Sequence, residues 1–216
     1  MILEKEREQI VEIGNKLVET GLVTLSWGNL SIRDKESNLV AVSPSGVDYT
    51  TLKKEDVVII DMEGNVVDGK LNPSSETPMH LYIYKNREDA LSIIHTHSTY
   101  ATAIGVADGE IPLVIGELAN ALGGNVRNTK YAAEGSTELG EEVVKAMEGR
   151  AGALMKNHGV VTIGRSLQDA FFNAMVVENA AKVYFIAKCM GQYTTISDEE
   201  ANKLHEGFLE GYKYTI

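Results

Sequence analysis

Between residues 29 and 67 the chain is written in short alternating or β-branched runs: Asn-Leu-Ser-Ile-Arg, Asn-Leu-Val-Ala-Val and Val-Val-Ile-Ile-Asp, then Val66-Val67 beyond the turn signal Glu63-Gly64-Asn65. The pattern reads as antiparallel strands joined by hairpins, and it puts a sheet at the centre of the fold. In front of it, Leu3, Ile10, Ile13 and Leu17 recur at helical spacing, and Gly21 follows the last turn where a C-terminal glycine belongs. Behind it, Asn72-Pro73-Ser74-Ser75 breaks the strand pattern. Residues 76–84 then read as a helix with a serine as N-cap and Pro78 in the first turn, where its missing N–H costs nothing.

Residues 91–97 and 153–155 read as further strands, and 99–105, 136–147 and 166–190 as helices. Ser197 with Glu200 is the capping-box signature of a last helix. The expected fold class is α/β of the α+β-like kind: a central, mostly antiparallel sheet flanked by helices on both faces, in a single domain over residues 1–216. No alternating βαβ pattern, GxGxxG or GxxxxGK[ST] string is present, which argues against a dinucleotide or P-loop fold.

A chain of 216 residues buries about 70% of its unfolded surface, so its core stands without disulfides or a structural metal. Any metal is then a working part. With 20 Lys+Arg against 31 Asp+Glu the net charge is -11, which repels nucleic acid and anionic membrane surfaces. Cys189 is the only cysteine and reads as a core residue of an apolar helix, so no disulfide framework exists. The charged, amphipathic N-terminus lacks a signal-peptide core and no apolar run spans a membrane, so the expected location is cytoplasmic.

His95 and His97 lie two apart in a strand, so both imidazoles point the same way and can share one metal. His158 follows the apolar strand 153–155 in a loop able to deliver a third ligand. Three neutral imidazoles leave an open position on Zn²⁺, the arrangement of a catalytic site. The competing reading is a set of core or hydrogen-bonded histidines; His80, mid-helix, and His205, in a polar helix, are read that way.

Ser74 and Ser75 place two hydroxyls at a helix mouth, where unpaired N–H groups favour an anion and a phosphate fits. Glu76 is either a helix-stabilising acid or a carboxylate that reaches metal and substrate together. The loops around Gly28-Asn29 and Ser45-Gly46 are turns by default, with donors that suit a phosphate when no Arg or Lys is supplied.

Trp-Gly-Asn-Leu-Ser, Ser-Pro-Ser-Gly, Asn-Pro-Ser-Ser-Glu, His-Thr-His and Asn-His-Gly, in this order and at these separations, resemble the class II aldolase, epimerase and adducin-head family. The resemblance runs from the first helix through Met190. It implies Zn²⁺ on His95, His97 and His158, with Glu76 as the acid/base and, at rest, a fourth ligand. It implies a phosphate against Gly28, Asn29, Ser45, Gly46, Ser74 and Ser75, and a fourfold homotetramer with active sites at subunit interfaces.

The activity implied is cleavage of a ketose 1-phosphate, L-fuculose 1-phosphate or a related deoxyketose 1-phosphate, to dihydroxyacetone phosphate and an aldehyde of the L-lactaldehyde type through a metal-stabilised enediolate. The competing activities are L-ribulose-5-phosphate 4-epimerase, whose corresponding motif carries Asp where this chain has Glu76, and methylthioribulose-1-phosphate dehydratase. A non-catalytic adducin-head-like module lacks the metal ligands, and all three histidines stand here. One departure concerns the far end of the substrate. The segment 111–124 has no tyrosine where the aldolases carry one; Glu117 falls at that place, and Tyr212 or Tyr214 is the candidate for the C-terminal tyrosine of the aldolase pattern.

Overall fold

The computed structural model describes residues 1–107 and 109–211. Helix α1 (Glu4–Glu19) leads to strands β1 (Gly28–Arg33), β2 (Val40–Val42), β3 (Val58–Ile60) and β4 (Val66–Asp68). Helix α2 (Thr77–Asn86), strand β5 (Ser92–Thr96) and helices α3 (Thr99–Val106), α4 (Gly116–Leu122) and α5 (Thr137–Met147) follow. The hairpin β6 (Gly152–Met155) and β7 (Gly159–Gly164) then precedes α6 (Leu167–Cys189) and α7 (Asp198–Gly211).

The strands form one seven-stranded sheet in the order β4-β3-β2-β1-β5-β7-β6, antiparallel at every pairing. Strand alternation divides its side chains between two helical layers. Val40, Val58, Ile93 and Val161 pack against Met79 and Ile83 of α2 and Leu139 and Val143 of α5. On the opposite face Leu30, Ile32, Ile59 and Ile94 pack against Ile10, Ile13 and Leu17 of α1 and Leu167 and Phe171 of α6. A third apolar cluster continues that face over Leu154 and Val160, under α3, α4 and the middle of α6. Helices on both faces of an antiparallel sheet is the architecture expected from the sequence.

Local signals are met at several ends. Gly21, with φ of 73°, lets the chain turn after α1, and Leu22 N–H donates to the Leu17 carbonyl at 3.0 Å. Ser136, Ser166 and Ser197 accept from the backbone N–H three residues on, starting α5, α6 and α7.

Elsewhere the structure departs from expectation. Helix α2 begins with Glu76, not a serine, at its N-cap, because the Ser74 carbonyl is already engaged in a turn with Thr77 N–H at 3.1 Å. Strand β5 stops at Thr96, leaving His97 just beyond its end. Strand β7 and helix α4 were not anticipated: β7 is buried on both faces and bracketed by glycines, so it shows no alternation, and α4 has only seven residues. Cys189 is exposed rather than core, since α6 outruns the layer it packs on and its buried positions end at Ala181. No helix among the described residues is long and apolar enough to cross a membrane.

Candidate active site

Three backbone devices bring the predicted residues together. The first is the β1–β5 ladder, which sets Asn29 directly opposite His95 and Gly28 opposite Thr96. Gly28 has φ of 117°, and a Cβ there would lie 2.7 Å from the His95 carbonyl oxygen, so a side chain at this position would force the two strands apart.

The second device is the hairpin between β6 and β7. Residues 156–158 make its turn, closed by His158 N–H donating to the Met155 carbonyl at 3.0 Å, with Asn157 in the left-handed region. Gly159 follows, and a Cβ on it would meet the Thr96 carbonyl oxygen at 2.4 Å, His95 Cε1 at 2.9 Å and His97 Cδ2 at 3.0 Å. Only glycine lets the hairpin bring His158 against the two strand-end histidines.

The third device joins two loops. Pro44 and Pro73 form an antiparallel bridge, Ser45 N–H donates to the Asn72 carbonyl at 3.0 Å, and Ser74 N–H to the Ser43 carbonyl at 3.1 Å. The segments 43–46 and 72–76 thus form one wall at the N-terminal end of α2. Ser45, Gly46 and Ser75 are exposed on it, while Ser74 is buried.

The cavity between these devices has a volume of about 320 Å³. It is lined by Gly28, Asn29, Ser45, Gly46, Ser74, Ser75, Glu76, His97 and His158, with Ser26, Trp27, Pro44 and Glu134. His95 lies behind them, fully buried. Glu134 was not foreseen. It sits on a loop without periodic signal, is mostly exposed, and places Oε1 3.8 Å from His158 Nε2. Glu117 is exposed in the first turn of α4 and does not line the cavity of its own chain. Tyr212 and Tyr214 lie outside the described residues.

At the floor, the three imidazole rings stand edge to face, with centroids 4.7 Å apart for His95–His97 and His95–His158 and 5.1 Å for His97–His158. His95 Nδ1–H donates to the Val160 carbonyl at 2.9 Å, which leaves Nε2 as a bare lone pair facing His97 Nε2 at 2.9 Å. Glu76 brings Oε2 to 3.1 Å from His95 Nε2 and Oε1 to 3.3 Å from His158 Nε2.

These contacts are not ion pairs. Burial holds His95 down to about 3, helped by the neighbouring His97, and burial with the neighbouring His95 holds His158 to about 4. His97 is lowered too, chiefly by burial. Each neutral imidazole therefore keeps one bare ring nitrogen, and these lone pairs share the floor of the cleft with the carboxyl oxygens of Glu76. Glu76 Oε1 and His158 Nδ1 have no hydrogen-bond partner among the described residues.

A cation placed among these atoms would meet a bare nitrogen from each imidazole and a carboxyl oxygen at once. One atom from each histidine lies within 4.8 Å of the others, a spacing that suits a single divalent ion. The donor set, three imidazole nitrogens with a carboxylate at hand, fits zinc or a similar borderline cation.

Comparison with known proteins agrees with this geometry. The chain is 40% identical over 212 residues, 98% of this chain and 99% of the other, to a 5-deoxy-D-ribulose 1-phosphate aldolase of Bacillus thuringiensis serovar kurstaki. A solved L-fuculose 1-phosphate aldolase superposes with a TM-score of 0.92 at 40% identity, covering 95% of this chain and 96% of that one. The crystal structure of YgbL from Klebsiella pneumoniae superposes with a TM-score of 0.85 at 25% identity, covering 94% and 99%. Residues 8–185 match the family described as Class II Aldolase and Adducin N-terminal domain, and the chain belongs to it.

Proposed function

We propose that this protein is a zinc-dependent aldolase that cleaves a ketose 1-phosphate to dihydroxyacetone phosphate and a small aldehyde of the L-lactaldehyde type. The observation that carries this reading is the juxtaposition of a cluster of three buried or half-buried imidazoles and Glu76 with a wall of serine hydroxyls and backbone N–H groups. No Lys or Arg lines the cavity among the described residues. A phosphorylated substrate entering beside Glu76 and Glu134 thus meets only neutral donors and negative charge, and a cation on the histidines offsets that repulsion.

His95, His97 and His158 would hold the zinc, with Glu76 as a further ligand at rest. When bound, the ion supplies Lewis acidity toward the oxygens of the substrate ketone. Ser45, Ser74, Ser75 and the backbone around Gly28 and Gly46 grip the phosphate, helped by the N-terminus of α2. Asn29 donates one amide hydrogen to Glu76 and keeps a second for substrate. In cleavage the hydroxyl proton lost from C4 as the C3–C4 bond breaks is balanced by the proton that Glu76 delivers to C3, the carbon that becomes the hydroxymethyl group of dihydroxyacetone phosphate; in the reverse direction Glu76 removes that proton. Its Oε1 is the oxygen for that transfer, because Oε2 is held by Asn29 at 2.7 Å.

The relatives point to two substrates of one kind, 5-deoxy-D-ribulose 1-phosphate and L-fuculose 1-phosphate, which differ only in the aldehyde half. We assign its recognition to Glu117 on α4, delivered from a neighbouring subunit of a cytoplasmic homotetramer, with Tyr212, outside the described residues, as the candidate C-terminal tyrosine.

The test is incubation of the purified protein with a panel of phosphorylated ketoses, reading dihydroxyacetone phosphate with a coupled enzyme. Release from a 1-phosphate, lost on chelation and in His95→Ala while the variant still folds, is the expected result. Epimerisation of a 5-phosphate, or loss of water from a 1-phosphate without C–C cleavage, would assign the site to one of the other two activities of this scaffold.

A further inference from the structure

Behind the carboxylate runs a buried polar relay. Glu76, His80 and Tyr84 recur every four residues, so they share one face of α2 and its N-cap. Asn29 and Ser31 are two apart on β1, so they share one face of the sheet. Where these faces meet, the Tyr84 hydroxyl lies 2.8 Å from Ser31 Oγ, and Ser31 Oγ lies 2.7 Å from His80 Nδ1. His80 Nε2 lies 2.6 Å from Asn29 Oδ1, and Asn29 Nδ2 lies 2.7 Å from Glu76 Oε2. All of these residues are buried.

The direction of each bond follows from the inventory of protons. A carboxylate oxygen only accepts, so Asn29 donates through Nδ2 and its Oδ1 accepts from His80 Nε2–H. A neutral imidazole has one N–H, so His80 Nδ1 accepts from Ser31, and Ser31 in turn accepts from Tyr84. Burial keeps the chain in this state: it pushes His80 down to about 3 and raises Tyr84 above the usual phenol range. Every hydrogen in the relay points toward Glu76.

We propose that His80 is a positioning residue of the active site: by fixing the amide of Asn29 it holds Glu76 Oε2 in place, so that Oε1, without a hydrogen-bond partner among the described residues, is the oxygen left to move a proton. Without the His80 donor, Asn29 is free to rotate its amide and set an oxygen against the carboxylate, leaving Glu76 without its anchor. The inference rests on the reading of Glu76 as the proton-moving group. A histidine serving only as core filler would need no partner at Nε2 facing the site, and an apolar residue would fill the space without the cost of burying polar atoms.

The experiment combines a substrate-free readout with kinetics. In ¹⁵N-histidine protein, long-range NMR correlations report the tautomer of each ring, and His80 is assigned by the signal lost in His80→Gln. The relay requires Nε2–H with Nδ1 bare, with and without zinc. His80→Leu removes both bonds, whereas His80→Gln keeps an N–H donor near the place of Nε2. Since misplacing a reacting group by about 1 Å costs about 10²-fold, His80→Leu should lose about that much in kcat with KM changed by less than about threefold. His80→Gln should recover most of the loss. A purely structural role lowers the melting temperature of both variants and leaves the kcat of folded protein unchanged, which overturns the proposal. So does an Nδ1-protonated His80. The expected tautomer in a protein that cleaves no ketose phosphate supports the relay and counts against the aldolase reading instead.

Discussion

The two faces of the β1–β5 pair belong to the same ladder and differ in what the middle of β1 presents to each. Leu30, Ile32 and Ile94 point toward α1 and α6 into an apolar layer. Asn29, Ser31 and His95 point the other way, toward α2, and each forms a hydrogen bond to a side chain or a carbonyl. One face is hydrocarbon and its contribution is roughly proportional to the area removed from water. The other is a wired layer, in which each buried polar group is stabilising only while its partner stands in place. Neighbouring residues of one strand can thus carry stability and chemistry separately, because the pleat turns them in opposite directions.

The sharpest way to break that comparison is at the wired layer's outlet. Glu76→Gln keeps the shape and the three histidines but cannot accept a proton. It should retain about one metal per chain and lose about 10²–10⁴ in kcat, measured by steady-state kinetics beside metal analysis. Its melting temperature should move little compared with its rate. Near-normal turnover in this variant would take the proton-transfer role away from Glu76.

On the hydrocarbon face the pattern should invert. Leu30 is fully buried between Asn29 and Ser31, and Leu30→Ala should cost about 2–5 kcal/mol of unfolding free energy, read by denaturant titration. The kcat of the folded fraction should fall far less than in Glu76→Gln. A large kcat loss with little loss of stability would show that the two faces are not separable, and that packing under β1 sets the carboxylate's position.

The sequence made one of these faces far more legible than the other. Apolar spacing in α1 and the β-branched runs of β1 to β4 announce hydrocarbon layers, because burial of such residues is generic and periodic. The histidine cluster was legible because two histidines two apart need only a strand to converge. The relay was not, since His80 read by itself is a histidine in the middle of a helix. Its meaning lies in the four-residue spacing of Glu76, His80 and Tyr84, and in a register that lays that stripe against Asn29 and Ser31. The first half of that signal is written in the sequence; the second needs the fold. Strand β7 was hidden for a related reason: with both faces buried, Gly159 to Gly164 shows no alternation to read. Glu134 had no signal of any kind, because a loop residue reaches the mouth only through the tertiary path of its segment.

The smallest of the expected effects bears on the outer wall of the cleft, which belongs to neither face of the sheet. Ser75 is exposed at the junction of the 72–76 loop with α2, where its hydroxyl is available to an anion beside the positive end of the helix dipole. Removing one hydrogen bond to a charged group costs about 1.5–3 kcal/mol, so Ser75→Ala should raise KM for a ketose 1-phosphate by roughly tenfold to a hundredfold. Because the lost bond is made equally to bound substrate and to the transition state, kcat should stay nearly constant. Cleavage of the same ketose without its phosphate should be almost unaffected. That contrast separates the wall from both layers behind it: damage to the relay shows in kcat for both sugars, damage to the hydrocarbon shows in stability rather than in kcat for either sugar, and damage to the wall shows only where a phosphate is present. An equal rise in KM for the phosphorylated and the free sugar would remove Ser75 from the phosphate site and shift the grip to Ser45 and Gly46 on the facing loop.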